Sequence, residues 1–221
     1  MARDDLVESF RRADLYVVIT EEFCAGRPSL NVLDLVLEAG VLLVQFREKG
    51  LDDRELVARA EAFRRRTFNA GALLIVDDRV DVALAVGADG VHLGQRDMPI
   101  HIARNIAPDL LIGASTHNLD QALVAEGEGA DYVNIGPIFA TQTKTKTAPP
   151  LGPGAVRQIA PRLKIPFTCM GGIKEHNIRE VLECGARHPA VVTAVTAAPD
   201  PMRAASALRQ SILDYFTSSG G

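Results

Sequence analysis

Eight short apolar runs recur along the chain at intervals of roughly 25 residues, and this spacing constrains the fold more than any other feature. They occupy 15–20, 41–46, 73–77, 90–93, 110–115, 132–135, 166–170 and 190–195. Each is apolar almost throughout instead of alternating, as expected of strands buried on both faces of a parallel sheet. Between them, 30–39, 52–69, 80–86, 100–106, 119–127, 154–162, 175–184 and 202–216 carry apolar residues at the period of amphipathic helices. Gly87, Gly129 and Gly185 each close a helical stretch, where glycine takes the left-handed cap without a Cβ clash. Eight βα units ending on a helix predict an α/β fold, a single (β/α)8 TIM barrel over 1–221. A helical extension is expected at 1–13 and a flexible tail at 217–221. An open doubly wound sheet is the competing topology, but no G-x-G-x-x-G follows the first run.

Composition narrows the function classes. With 221 residues, 47% hydrophobic and 24% charged, the chain is neither disordered nor a small disulfide scaffold. A net charge of −4 argues against a bulk nucleic-acid binder. The run Arg64-Arg65-Arg66 falls in a helical stretch and reads as a solvated face. Cys24, Cys169 and Cys184 have no CxxC spacing and read as free thiols of a reducing compartment. Residues 1–12 are charged and lack the apolar core of a secretory signal, and no run approaches the ~20 residues of a membrane span. The expectation is a cytoplasmic protein with small-molecule partners, no nucleic acid and no membrane; monomer and homo-oligomer both stay open.

In a barrel, catalysis belongs to the C-terminal ends of the strands, and the unusual residues collect there. Gln45, Arg47 and Lys49 alternate at the end of the second run, which puts them on one face of extended backbone. On the interior face such charge is costly unless it meets an anion. Asp77 and Asp78 follow the third run and Asp97 the fourth. Asp78 and Asp97 suit Mg2+ when phosphates and water complete the shell, and they also read as helix and loop caps. Ser115 and His117 end the fifth run. Thr141, Gln142, Thr143 and Lys144 follow the sixth, as phosphate donors or as a polar loop. Gly171-Gly172 follows the seventh, where backbone N–H groups can approach a phosphate or simply turn. Val192 and Thr193 end the eighth. His92 reads as a structural histidine of the core or barrel mouth. No G-x-S-x-G elbow and no zinc-ligand spacing occurs. Two anion sites and a Mg2+ pair suggest the joining or rearrangement of two phosphorylated pieces.

The ordered set Val44-Gln45-Phe46-Arg47-Glu48-Lys49, Asp77-Asp78-Arg79, Gly90-Val91-His92-Leu93-Gly94-Gln95-Arg96-Asp97, Ser115-Thr116-His117, Gly136-Pro137-Ile138-Phe139, Thr143-Lys144 and Gly171-Gly172-Ile173 closely resembles the thiamine-phosphate synthase family. The resemblance runs in order over nearly the whole chain and implies a (β/α)8 transferase of thiamine biosynthesis. Such an enzyme joins a pyrimidinylmethyl diphosphate to a thiazole phosphate, or its carboxylated tautomer, with Mg2+. It implies Arg47, Lys49, Lys144 and Ser115 as catalytic residues. Gln45, Arg47, Glu48, Lys49, Asp77, Ser115 and Lys144 match the pyrimidine diphosphate site. Thr141, Gln142, Thr143, Gly171, Gly172, Val192 and Thr193 match the thiazole phosphate site, and Asp78 and Asp97 the metal ligands. Four positions depart from the family pattern: Asp77 stands where Asn is usual, Thr193 replaces a Ser, Phe46 an aliphatic residue and Ala140 a frequent Pro. Rival readings are a thiazole tautomerase using His117, a non-catalytic barrel that binds thiamine precursors, and an indole-glycerol-phosphate-type enzyme. The last would not explain the paired Asp residues or the Gln-x-Arg-x-Lys face.

Overall fold

In a computed structural model, which describes residues 2–141, 143 and 149–219, the eight runs become eight parallel strands that close on themselves. They are β1 (Tyr16–Ile19), β2 (Leu43–Phe46), β3 (Leu73–Asp77), β4 (Gly90–Leu93), β5 (Leu111–Thr116), β6 (Tyr132–Ile135), β7 (Phe167–Met170) and β8 (His188–Val191). Tyr16 stands opposite Leu43 on one side and Ala190 on the other, which joins the first strand to the last. The chain is a (β/α)8 TIM barrel. Its helices are α1 (Arg3–Arg12), α2 (Ser29–Glu38), α3 (Asp53–Asn69), α4 (Val80–Val86), α5 (Ile100–Ile106), α6 (Leu119–Gly127), α7 (Gly154–Ile159), α8 (Ile178–Leu182), α9 (Thr193–Thr196) and α10 (Pro201–Ser219).

Strand parity divides the core in two. Outward residues such as Val17, Val44, Leu74 and Val133 pack against the helices. Inward residues Tyr16, Leu43, Leu73, Ile75, Leu111, Tyr132 and Ala190 fill the barrel together with Leu6, Phe10 and Ala13. The segment expected as an N-terminal extension is therefore the barrel floor. Phe10 of α1 stacks 4.5 Å from the Tyr132 ring and 5.4 Å from His188. Burying one such phenylalanine stabilises by roughly 1.5–3 kcal/mol. The floor is stitched by two Gly-Ala-Asp turns: Asp89 Oδ2 accepts Leu74 N–H at 2.8 Å, and Asp131 Oδ2 accepts Ile112 N–H at 2.8 Å. Asp52 and Asn118 cap α3 and α6 by accepting the N–H groups of Glu55 and Gln121.

Four sequence expectations are corrected. The eighth strand begins two residues earlier, at His188, and ends at Val191; 193–196 form α9 instead of strand. The β-branched Thr-Ala-Val-Thr favours strand locally, but tertiary contacts override the propensity. Helix 154–162 divides into α7 and a 3-10 turn, Ala160–Arg162, because Pro161 has no N–H to continue the ladder. Helix 175–184 shrinks to α8, because Asn177 folds the preceding turn: its Oδ1 accepts Lys174 N–H and its Nδ2 donates to the Gly172 carbonyl. The expected tail at 217–219 continues α10, and 220–221 lie outside the described residues.

Candidate active site

The extended backbone of β2 runs on past its end, with Arg47 N–H donating to the Ile19 carbonyl at 3.0 Å. Parity sends Gln45, Arg47 and Lys49 inward and Glu48 outward. Lys49 Nζ lies 2.8 Å from Asp77 Oδ2 and also pairs with Asp78, while Arg47 Nε approaches Asp77 Oδ2 at 3.6 Å. Burial opposes the charge of Lys49, but the carboxylates of Asp77 and Asp78 outweigh it and hold the ammonium above its ordinary pKa. Asp78 is also pushed up, first by burial and then by the charges of Asp77 and Asp97, which together outweigh Lys49. The two shifts on one ion pair differ in origin: Lys49 faces two carboxylates, and Asp78 faces two further carboxylates besides its cation.

Asp78 is held in the left-handed region, φ 53°, a conformation costing a non-glycine residue roughly 1–2 kcal/mol. Its N–H donates to the His92 carbonyl at 2.9 Å. Asp97 Oδ2 accepts Gly94 N–H at 2.6 Å, so the loop after β4 turns that carboxylate back to the mouth. Arg79 leaves the site, bound to Asp53 and Asp81.

Asp78 and Asp97 line one cavity of about 440 Å³ with Arg47, Lys49, Asp77 and Ser115. Among the described residues no three His, Cys, Asp or Glu side chains are grouped to hold a metal. Asp78, half-buried and crowded by Asp77 and Asp97, shares the cavity with both, and this set of oxygen donors nonetheless fits Mg2+ with phosphate and water as its other partners.

A second cavity, about 580 Å³, is lined by Thr141, Thr143, Gly171, Gly172, Val192 and Thr193, with Phe23 as an aromatic wall. Gly171 and Gly172 have φ of +115° and +61°, and a Cβ on Gly172 would run into the Ala140 carbonyl. Only glycine allows that approach of β7 to the loop after β6. Thr141 and Thr143 bond to each other at 3.0 Å between hydroxyl oxygens. Thr141, Thr143, Met170 and Gly171 line both cavities, so the two are contiguous. Beneath them a narrow cleft is lined by Tyr16, Gln45, His92, Ser115 and Asn134.

The profile of the thiamine monophosphate synthase family matches residues 15–195. The chain belongs to this family. Among members of the thiamine monophosphate synthase family, the thiamine-phosphate synthase of Chloroflexus aurantiacus is 46% identical over 195 residues, covering 88% of this chain and 90% of the relative. That of Pyrococcus horikoshii is 45% identical over 198 residues, covering 90% and 94%. The thiamine phosphate pyrophosphorylase of Pyrococcus furiosus superposes with a TM-score of 0.87 at 41% identity, covering 93% of this chain and 98% of the other. No helix among the described residues is long and apolar enough to cross a membrane.

For this thiamine monophosphate synthase barrel, the sequence expectations divide cleanly. Gln45, Arg47, Lys49, Asp77, Asp78, Asp97, Ser115, Thr141, Thr143, Gly171, Gly172, Val192 and Thr193 all line the joined cavities. Gln142 and Lys144 lie outside the described residues. Glu48 is corrected: its side chain is 6% exposed, and its Oε1 accepts Glu21 N–H at 2.9 Å on the far side of the strand. It anchors the turn Glu21–Phe23 and lines none of the three cavities described above. Burial raises the Glu48 pKa, against the Glu21 hydrogen bond and Arg59. Tyr16, Phe23, Tyr132 and Asn134 were not singled out by the sequence reading. Tyr16 on β1 and Tyr132 and Asn134 on β6 all stand at inward-facing positions of their strands, and that parity is the signal that could have found them. His92 bridges Tyr132 and Ser115 inside the barrel.

Proposed function

We propose that this chain joins an aminopyrimidinylmethyl diphosphate to a thiazole phosphate, forming thiamine monophosphate and releasing diphosphate. The observation that carries this reading is the contiguity of two cavities of different chemistry in one barrel mouth. One is lined by Arg47, Lys49, Asp78 and Asp97, the other by Gly171, Gly172 and Thr193, and they meet at Thr143 and Met170. Two anionic substrates can thus be held in contact, which supplies much of the entropic part of the rate.

In the reaction the bond between the pyrimidine methylene carbon and the diphosphate oxygen breaks, and its electron pair leaves with the diphosphate. The thiazole nitrogen then bonds to the methylene carbon, whose positive charge the aminopyrimidine ring shares. Negative charge grows on the leaving group, so fixed positive charge is what the protein must offer. Arg47 and Lys49 would hold the leaving diphosphate, Lys49 by moving from Asp77 and Asp78 to a phosphate oxygen. Asp78 and Asp97 would hold Mg2+, which when bound stabilises the same charge. Ser115 would donate to a diphosphate oxygen, and Lys144 would act on the same group. Thr141, Gln142, Thr143, Gly171, Gly172, Val192 and Thr193 would hold the thiazole phosphate. No protein nucleophile is required.

A second reading, proton transfer on a thiazole phosphate, is favoured by one contact: His117 Nδ1 lies 2.6 Å from the Gly136 carbonyl. An N–H donated there leaves Nε2 as a proton acceptor. One assay separates the two. Both substrates are mixed with the protein with and without Mg2+, and thiamine phosphate is read by fluorescence after oxidation to thiochrome. Mg2+-dependent product is expected. No product from folded protein overturns the coupling reading.

A further inference from the structure

A single chain of polar atoms crosses the barrel interior beneath the two cavities. Gln45 Nε2 donates to Tyr16 Oη at 2.7 Å. Tyr16 Oη lies 3.2 Å from Tyr132 Oη, and Tyr132 Oη 3.0 Å from His92 Nδ1. His92 Nε2 lies 2.9 Å from Ser115 Oγ. The five residues come from β2, β1, β6, β4 and β5. Tyr16, Gln45, His92 and Ser115 all line the narrow cleft, and within the chain it is the two ends, Gln45 through Oε1 and Ser115 through its hydroxyl, that keep a polar group beyond the bonds named here. Gly113 makes the crossing geometrically feasible, since a Cβ there would overlap the Tyr132 ring. Burial raises the pKa of both phenols, so each keeps its proton at neutral pH.

A phenol has one proton to give, and a neutral imidazole has one N–H. The chain therefore has two self-consistent polarities. In the first, Gln45 donates to Tyr16, Tyr16 to Tyr132, Tyr132 to His92 Nδ1 and His92 Nε2–H to Ser115. Ser115 then turns its own hydrogen to the cavity, and Gln45 presents Oε1. In the second every bond reverses: Ser115 presents lone pairs and Gln45 its amide N–H.

A diphosphate oxygen offers only lone pairs, so it accepts only the first polarity. We propose that the diphosphate contacting Ser115 sets the direction of this chain, and that Tyr132 and Tyr16 carry that direction to Gln45, which thereby presents a carbonyl oxygen and selects an amino over an oxo substituent on the pyrimidine. Tyr16, Tyr132 and His92 are positioning residues. The inference rests on the substrates proposed above. An oxo group would face Oε1 as acceptor against acceptor, leaving two buried polar groups unpaired.

The test compares kcat/KM for the aminopyrimidine diphosphate with that for its oxo analogue, at saturating thiazole phosphate. Tyr132→Phe keeps the ring over Gly113, touches neither Gln45 nor Ser115, and cuts the chain in its middle. His92→Leu cuts the next link, and Tyr16→Phe frees Gln45 directly. The wild type should prefer the amino substrate by about 100-fold or more. All three variants should lower that ratio about tenfold or more, because Gln45 can then turn its N–H outward. A merely structural role would depress both substrates equally. The inference is overturned if Tyr132→Phe and His92→Leu keep the wild-type ratio, or if only Tyr16→Phe changes it. Absence of thiamine phosphate from the wild type overturns the proposed function and this inference together. Wild-type turnover with unchanged ratios overturns this inference alone.

Discussion

The ammonium of Lys49 lies 2.8 Å from the carboxylate of Asp77, bridging the ends of two neighbouring strands. Arg47 approaches the same oxygen at 3.6 Å. One carboxylate thus engages both cations proposed to hold the diphosphate. Lys49 is 45% exposed, so each pairing contributes on the order of 1 kcal/mol. Asp77→Asn should therefore lower KM for the pyrimidine diphosphate by about fivefold. Steady-state kinetics at fixed Mg2+ checks this; a raised KM would mean that Asp77 itself contacts the substrate.

Glu48 shares a strand end with Arg47 and Lys49 but faces the opposite way. Through Glu21 N–H it holds the turn that carries Phe23, a wall of the second cavity. Glu48→Ala leaves a backbone donor unpaired and should destabilise the fold by about 1–3 kcal/mol. KM for the thiazole phosphate should rise several times more than KM for the pyrimidine diphosphate. Separate titrations of the two substrates measure it; an equal rise in both would contradict the assignment.

The three cysteines differ in environment. Burial, reinforced by Glu48 and Glu21 and opposed by Arg27, pushes the Cys24 thiol up to about 11. Burial raises Cys169 as well, whereas Cys184 is partly exposed. Thiolate is the reactive form. At neutral pH a maleimide should label Cys184 alone within minutes, and all three in guanidinium, as read by intact mass. Rapid labelling of Cys24 in the folded protein would contradict this.

His188 lies at the barrel floor, its Nδ1 2.6 Å from the Ala13 carbonyl. Burial lowers its pKa, aided by Arg187 and Arg11 and opposed by the Ala13 bond and Asp14. Below the unfolded value of about 6.5 the unfolded chain then binds more protons than the folded one. Stability is complete above that value and falls with pH below it, by at most about 1.4 kcal/mol per unit from this group. Urea unfolding at about pH 7.5 and about pH 5.5 should show the loss, and His188→Gln should reduce it. An identical slope in the variant would assign the acid sensitivity elsewhere.

Much of the architecture was legible because it depends on period and punctuation. Seven of the eight strands lie on the continuous apolar runs, each of which is followed by polar residues or glycine. β8 was displaced because His188-Pro189 reads as a turn and Thr193-Ala194-Val195-Thr196 as strand; pairing with β7 and β1 decides otherwise. The charged site was legible because Gln45, Arg47 and Lys49 are neighbours in the chain. Glu48 enters the site only through the family resemblance, whereas the alternation that groups Gln45, Arg47 and Lys49 puts it on the opposite face. The Tyr16–Tyr132 contact spans 116 positions and exists only after closure, so nothing local announces it.

β1 and β8 are matched at only Tyr16–Ala190 and Val17–Val191. Across that seam Arg27 donates to the carbonyls of Thr196, Ala198 and Pro199, and Thr196 Oγ1 donates to the Phe23 carbonyl at 2.7 Å. One guanidinium therefore acts as a buckle between the first and last units of the ring. Hydrogen exchange should travel from this junction outward, since a cylinder with a short final ladder opens like a belt and not like a zip. The barrel mouth inherits that ranking: the wall of Phe23, Val192 and Thr193, proposed for the thiazole phosphate, hangs on the buckle, while the wall of Lys49, Asp78 and Asp97, proposed for the diphosphate, belongs to the part of the ring that would let go last.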